Sequence, residues 1–369
     1  MRRYYPAFIL AGILTACVCA QGPAIPAQHV MIYHEPGRFG GWPANNGIWS
    51  WGDEIVVGFH WGYFQVREKG HAIDTTRPGG SLLARSLDGG QTWKLETPPF
   101  DAAVVPVDCP GGIDFTHPDF AMTLRAGSTI NSASRFYYSS DRGRTWKGPF
   151  KLPLFGQKGI AARTDYLVNG KRDCMVFLTA SKSDGKEGRA IATRTRDGGK
   201  TWKFTAYIGE EPKGYAIMPS TVRLSNKRLL TMIRRNDGPC WIDAYLSDDN
   251  GKTWQFLNRP EADTGWGNPP HLIKLRDGRF CLTYGYRTKG YKIPGSEIRA
   301  RLSSDRGATW SDEITLRGNG GDWDIGYPRT VQRSDGRIVT VYYFNDDTAK
   351  ERYIAATIWD PGKGQGPAR

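Results

Sequence analysis

One eight-residue pattern, (S/T)xDxGxTW, recurs five times along the 369 residues and commits the chain to an array of equal units. The copies run from Ser86 to Trp93, Ser139 to Trp146, Thr195 to Trp202, Ser247 to Trp254 and Ser303 to Trp310. Their aspartates, Asp88, Asp141, Asp197, Asp249 and Asp305, lie 53, 56, 52 and 56 residues apart by subtraction of the residue numbers. Each step holds a four-stranded antiparallel sheet. The pattern reads as a tight turn between strands: the aspartate accepts hydrogen bonds from within the turn, and glycine takes backbone angles closed to other residues. The tryptophan then packs sideways, so aspartate and tryptophan belong to the scaffold.

Between the boxes, segments that start after proline or a polar residue run from Pro43 to Phe59, Pro118 to Arg125, Asp165 to Ala180, Pro219 to Arg235, Pro269 to Arg287 and Pro328 to Phe344. Six segments predict an all-β fold, a six-bladed β-propeller. The sixth lacks a box but is followed by a strand from Tyr353 to Trp359, with which an N-terminal strand from His29 to Tyr33 could pair and so close the ring. The 45 glycines, 23 prolines, 13 tryptophans and 17 tyrosines suit short strands, many turns and large aromatic packing units.

Residues 1–20 read as an export signal, with Arg2 and Arg3 before an apolar run too short to span a bilayer. Val18-Cys19-Ala20 suits ordinary cleavage, whereas Leu14-Thr15-Ala16-Cys17 resembles a lipobox whose Cys17 would carry a lipid anchor. Simple secretion is the first reading, periplasmic or cell-surface placement the second. Residues 21–369 form one domain, and no later segment is apolar enough for a transmembrane span. Cys109, Cys174, Cys240 and Cys281 show no metal-ligand spacing and are expected as buried small residues or as disulfide partners. No cofactor is implied. The net charge of +13 suits an acidic partner, and export makes an anionic extracellular glycan the partner rather than nucleic acid, for which no signature is present.

The five boxes match the Asp-box (BNR) repeat, and the mature chain resembles the sialidase superfamily of propellers. That resemblance implies a carboxylate-binding arginine triad, an aspartate acid/base and a tyrosine nucleophile assisted by a carboxylate. Gly326-Tyr327 resembles the strand start that carries the nucleophile, Arg234 or Arg235 falls where the second arginine belongs, and Asp74 lies near the place of the acid/base. Arg38 stands in for the first arginine, since Gly41-Trp42-Pro43 replaces the family's Arg-Ile-Pro; Arg287, Arg299 and Arg301 compete for the third. Around Tyr215 to Pro219 the family's glutamate is missing, and Asp322 and Asp324 are the carboxylates nearest Tyr327 in sequence. Tyrosine has an ordinary pKa near 10, so it needs a carboxylate to act as a nucleophile at neutral pH. Asp74, Tyr327 and Asp324 are therefore the catalytic candidates, and Arg38, His71, Arg234, Arg235 and Arg329 the substrate-binding ones.

A sialidase-like exo-glycosidase removing a terminal acidic sugar is the leading expectation. A polysaccharide lyase or another glycosidase acting on uronate-containing polysaccharide, with His71 or a tyrosine moving the proton, is the second. A glycan-binding propeller without turnover is the third.

Overall fold

The structure is a computed structural model and describes residues 26–126 and 134–362. The expected export signal and Cys17 lie outside the described residues. Six antiparallel sheets follow one another, each a blade. The first pairs Arg38–Gly41 and Ile48–Trp51 with Glu54–Tyr63, then adds Gly80–Ser86 and Lys94–Glu96. The second holds Ala121–Arg125, Arg135–Ser139 and Lys147–Lys151; the third pairs Ile160–Ala161 and Tyr166–Gly170 with Asp173–Ser181, then Glu187–Thr195 and Lys203–Tyr207. The fourth runs Tyr215–Arg223, Leu229–Asn236, Cys240–Ser247 and Gln255–Glu261, and the fifth His271–Lys274, Phe280–Tyr286, Ser296–Ser303 and Ile314–Gly320. Gly326–Gln332, Ile338–Phe344 and Tyr353–Trp359 make the sixth, whose fourth strand is the N-terminal Ala27–Tyr33. His29 pairs with Thr357 and Ala27 with Trp359, so the expected closure forms.

Two expected segments depart from regular strand. Pro43–Asn46 is a single helical turn, because proline fixes φ at its first position, and it lies between the two halves of the innermost strand. The oxygen of Asn46 accepts hydrogen bonds from the hydroxyls of Thr123 and Thr164, both at 2.8 Å, so this turn ties the second and third blades to the first. The second blade has three strands among the described residues rather than four. Around residues 114–120 local bonds replace a ladder: Asp114 caps Thr116, and the nitrogen of Asp119 donates to the His117 ring.

Each box joins the last two strands of its blade. In the first, Ser86 Oγ donates to Asp88 Oδ1 at 2.8 Å, the Thr92 nitrogen to the same oxygen at 2.9 Å and Thr92 Oγ1 to Oδ2 at 2.6 Å. The pattern repeats at Asp141, Asp197, Asp249 and Asp305. The box glycines also reach the preceding blade: Gly251 lies against Met175, Gly307 against Leu230, and Gly90 against Val339 of the sixth blade. All five boxes therefore share one face, and the innermost strand of every blade but the second starts on the other; in the second, Ala121 pairs with the box residue Ser139. Ala27, paired with the end of Tyr353–Trp359, lies on the box face.

The core is a set of inter-blade layers rich in Val, Ile, Phe and Tyr, one of which runs from the first blade into the sixth through Phe39, Val57, Val341 and Ile354. The four described cysteines are buried and free. No helix among the described residues is long and apolar enough to cross a membrane.

The box carboxylates are expected to be points of acid sensitivity. Burial would raise Asp88, but bonds from Thr92, Ser86 and Gln91 more than offset it and hold its carboxyl at about 2. A depressed folded value means that its stabilisation is present above the ordinary carboxylate range and is lost as pH falls from about 4 towards 2. Asp249→Ala hands the exposed Thr253 nitrogen and hydroxyl over to water and is expected to cost about 0.5–1.5 kcal/mol in urea denaturation at pH 7. The cost should shrink in the same experiment at pH 3.

Candidate active site

Three innermost strands begin with the same local device. Trp42, Met218 and Tyr327 each precede a proline and each hold φ in the left-handed region, at 59°, 54° and 52°. A residue before proline avoids the right-handed helical region, and a non-glycine residue with positive φ costs about 1–3 kcal/mol, so the surrounding structure must impose it. Pairing slips at the same places, between Ile217 and Ser220 and between Gly326 and Arg329. Such bulges re-aim side chains, and here they send Tyr327 toward Met218 and Ala44 beside the helical turn. Asn268 fixes the Tyr327 backbone: its Oδ1 accepts from the Tyr327 nitrogen at 2.8 Å while its Nδ2 donates to the Ile325 oxygen at 3.0 Å. Gly326, at φ 104°, has no room for a Cβ against Asn268.

Arginines surround the Tyr327 phenol. Arg234 Nη1 donates to its oxygen at 3.4 Å, and the Arg287 guanidinium lies 5.3 Å from its ring centre. Burial alone would raise the phenol, but Arg234, Arg287 and Arg163 more than offset it and hold the group below the ordinary tyrosine value. Arg234 is 7% exposed, and its Nε has no partner among the described residues, which leaves its fork available to an oxyanion. Arg287 is engaged by the protein: it donates to the Ile325 oxygen and, at 2.6 Å, to the Tyr343 hydroxyl.

From Arg287 the network continues outward. The Tyr343 hydroxyl donates to Asp324 Oδ1 at 2.7 Å, and His71 Nδ1 lies 2.5 Å from the same oxygen. Asp324 Oδ2 accepts from the Ala72 nitrogen and from Arg352 Nε at 2.9 and 3.1 Å. The carboxylate is fully buried, yet His71, Arg352 and Arg287 hold it far below the usual carboxylate range despite the burial that would raise it. It makes no hydrogen bond to Tyr327 among the described residues. Asp324 thus orients His71 rather than activating the phenol. Trp42, Trp323, Trp266 and Tyr291 wall the space beside His71, with ring centres 5.1 Å from His71 to Trp42 and to Trp323, 5.8 Å from Trp323 to Trp266 and 4.7 Å from Trp266 to Tyr291.

The other expected site residues are taken up elsewhere. Asp74 Oδ1 accepts from the nitrogen and hydroxyl of Thr76 at 2.9 and 2.6 Å; these bonds lower its pKa, which suits a turn cap and not a group that must hold a proton at neutral pH. Arg235, on the other side of its strand from Arg234, donates to the Tyr245 hydroxyl and lies 3.7 Å from Asp243. Arg38 stays on the rim of the first blade, 3.9 Å over the Tyr63 ring and 3.3 Å from Glu35. Arg329 is only 4% exposed and donates to the oxygens of Ala44 and Thr164 beneath the helical turn. There it lines an inner cavity of about 280 Å³ with Asp165 and His271. Burial pushes the Asp165 carboxyl up to about 7 against the pull of Arg329 and Thr221.

The sequence leaves the third arginine open among Arg287, Arg299 and Arg301; the structure pairs the last two with Glu297, Glu313 and Glu261 and brings Arg287 beside Tyr327. Tyr215, whose ring lies 5.3 Å from Arg234, and Met218 fill the place where the resemblance expects a glutamate. The shared X-Pro motif of Trp42, Met218 and Tyr327 was the available signal for the bulged starts.

The family of BNR repeat-like domains matches residues 119–340. No curated protein matches the sequence. Among solved structures, a Dyadobacter fermentans protein of unknown function is similar with a TM-score of 0.69 at 22% identity, over 90% of this chain and 99% of that one. A Streptococcus pneumoniae sialidase follows at 0.57 and 12%, over 85% and 68%, and a Fusarium graminearum α-L-arabinofuranosidase at 0.56 and 14%, over 90% and 97%. At these identities the likeness is one of fold, the six-bladed propeller.

Asp324→Asn takes the charged acceptor from His71 and Tyr343 while Arg352 keeps Asp322, 2.6 Å away. The substitution is expected to cost about 1–3 kcal/mol of unfolding free energy, measured by urea denaturation. A loss below about 1 kcal/mol would mean that the network is not held together by this carboxylate.

Proposed function

The chain belongs to the family of BNR repeat-like domains, and from that premise we propose that it is a glycosidase that removes a terminal acidic sugar from an extracellular glycan. The observation that carries this reading is the Tyr327 phenol, held below its ordinary pKa by three arginines beside an aromatic wall. Arg234 pairs with the substrate carboxylate through its planar fork. Tyr327, its proton given up to solvent beforehand and its phenolate stabilised by Arg234, Arg287 and Arg163, attacks the anomeric carbon as the leaving oxygen departs, a recognised alternative to a carboxylate nucleophile. His71 gives that oxygen its proton. Asp324, ionised and fixed at Nδ1, stabilises the charged imidazole and keeps Nε2 for the transfer. Water, giving a proton back to His71, then attacks the same carbon and releases the Tyr327 phenolate. His71 takes the part that the resemblance assigned to Asp74. The sialidase and arabinofuranosidase of the same fold support glycoside chemistry, and the charge of +13 supports an anionic substrate and a surface exposed to one.

One observation favours a second reading. With no carboxylate bonded to Tyr327 among the described residues, the phenol and His71 also suit abstraction of the proton next to a uronate carboxylate, neutralised by Arg234, with elimination of the leaving oxygen.

Mass spectrometry of products from sialosides and uronate-rich polysaccharides separates the two, because hydrolysis adds water and elimination leaves an unsaturated uronate that absorbs in the ultraviolet. Tyr327→Phe is expected to lower turnover by about a hundredfold or more with the fold intact. Turnover by this variant at the native rate would remove Tyr327 from the mechanism. Binding without any product from either substrate class would support the non-catalytic glycan-binding role instead.

A further inference from the structure

The first and second blades part beside the Tyr327 site, on the face away from the boxes, and leave a cavity of about 890 Å³. Trp61, Phe100 and Tyr137 supply its aromatic walls, His60 one end and Arg125 and Arg135 its cations. It adjoins the central site through Trp42, whose ring is 5.4 Å from that of His60 and 5.1 Å from that of His71.

Arg125 ends Ala121–Arg125, the strand before the box-bearing hairpin, and so holds the place in its blade that Arg234 and Arg287 hold in theirs. Its surroundings lack the anion that such a place demands. Nη1 donates to Ser81 Oγ at 2.7 Å, and the guanidinium lies 4.2 Å over the Phe100 ring. Nε and Nη2 are buried and meet no acceptor among the described residues, which also offer it no ion pair. Burial brings its pKa down to about 10. Arg135 is satisfied by the oxygens of Ala102 and Val104, and the wall carboxylate Asp101 by the Ala103 nitrogen. A buried cation is costly unless it is paired, and aromatic faces are the surfaces on which sugar rings stack.

We propose that this cavity is a second anion-binding subsite, which seats a carboxylated or sulfated sugar of the substrate against Arg125 while the sugar to be released occupies the Tyr327 site. The proposal rests on the reading of the protein as a glycan-processing enzyme. It extends the substrate class to glycans with anionic groups on two neighbouring residues.

The test is calorimetric titration of the full chain carrying Tyr327→Phe and Arg234→Met, which blinds the central site, with glucuronic acid, galactose 6-sulfate and galactose. One or both charged sugars should bind and galactose should not; the one that binds identifies the carboxylate or the sulfate as the recognised group. Adding Arg125→Met should weaken binding by about tenfold or more, and Arg125→Lys by less. No binding by either charged sugar, or equal binding in Arg125→Met, overturns the proposal. Because Arg125→Met could disturb folding, the His60 ring is followed by NMR in the unsubstituted chain. Burial and then Arg125 hold His60 down at about 4, so an anion on Arg125 should raise its midpoint; an unmoved midpoint at saturating sugar also overturns it. Native turnover by Tyr327→Phe would count against the central mechanism alone, since binding that depends on Arg125 would survive it.

Discussion

Six twisted sheets around an axis leave two open edges unless the chain ends meet, and that meeting is the constraint on which the rest of this structure depends. Ala27–Tyr33 supplies the outer strand of the sixth blade, so its ladder to Tyr353–Trp359 holds the first and last blades in one ring. The apolar layer that runs from Phe39 and Val57 into Val341 and Ile354 exists only because the ring is closed. The box turns reinforce the same arrangement. Gly90 packs on Val339 across the closure as Gly251 packs on Met175 within the chain, so the join is built like every other blade boundary.

A rigid ring can hold strain at its centre. Trp42, Met218 and Tyr327 keep backbone angles that free chains avoid, and Asn268 binds two peptide groups to hold one of them. The result is a phenol pointed into a cluster of arginines whose mutual repulsion the scaffold must bear. Pre-organisation of this kind lets a site stabilise negative charge without reorganising during reaction. The second polar line, Arg287 to Tyr343 to Asp324 to His71, links the sixth blade to the loop between Glu54–Tyr63 and Gly80–Ser86 of the first and gives the imidazole a fixed direction.

The fold was legible because a turn motif with five copies is local chemistry repeated, and local chemistry is what sequence displays. Tyr327 and Arg234 were legible because each sits at a strand end whose position follows from the nearest box. The candidates that the structure does not bring beside Tyr327 differ from those it does in facing direction. Arg234 and Arg235 are neighbours in sequence but point to opposite sides of one strand, and Arg329, two residues beyond Tyr327, turns beneath the helical turn of Pro43–Asn46. Asp74 and His71 are three residues apart, yet one caps its own turn and the other reaches Asp324 some 250 residues away. No spacing rule distinguishes such pairs, because burial and long-range partners decide them.

The strand that closes the ring also tells its two faces apart. Ala27 leaves the ring on the box face, opposite the strand starts that carry Trp42, Met218 and Tyr327. A ligand that approaches the Tyr327 site therefore meets neither the first residue of the closing strand nor the box turns.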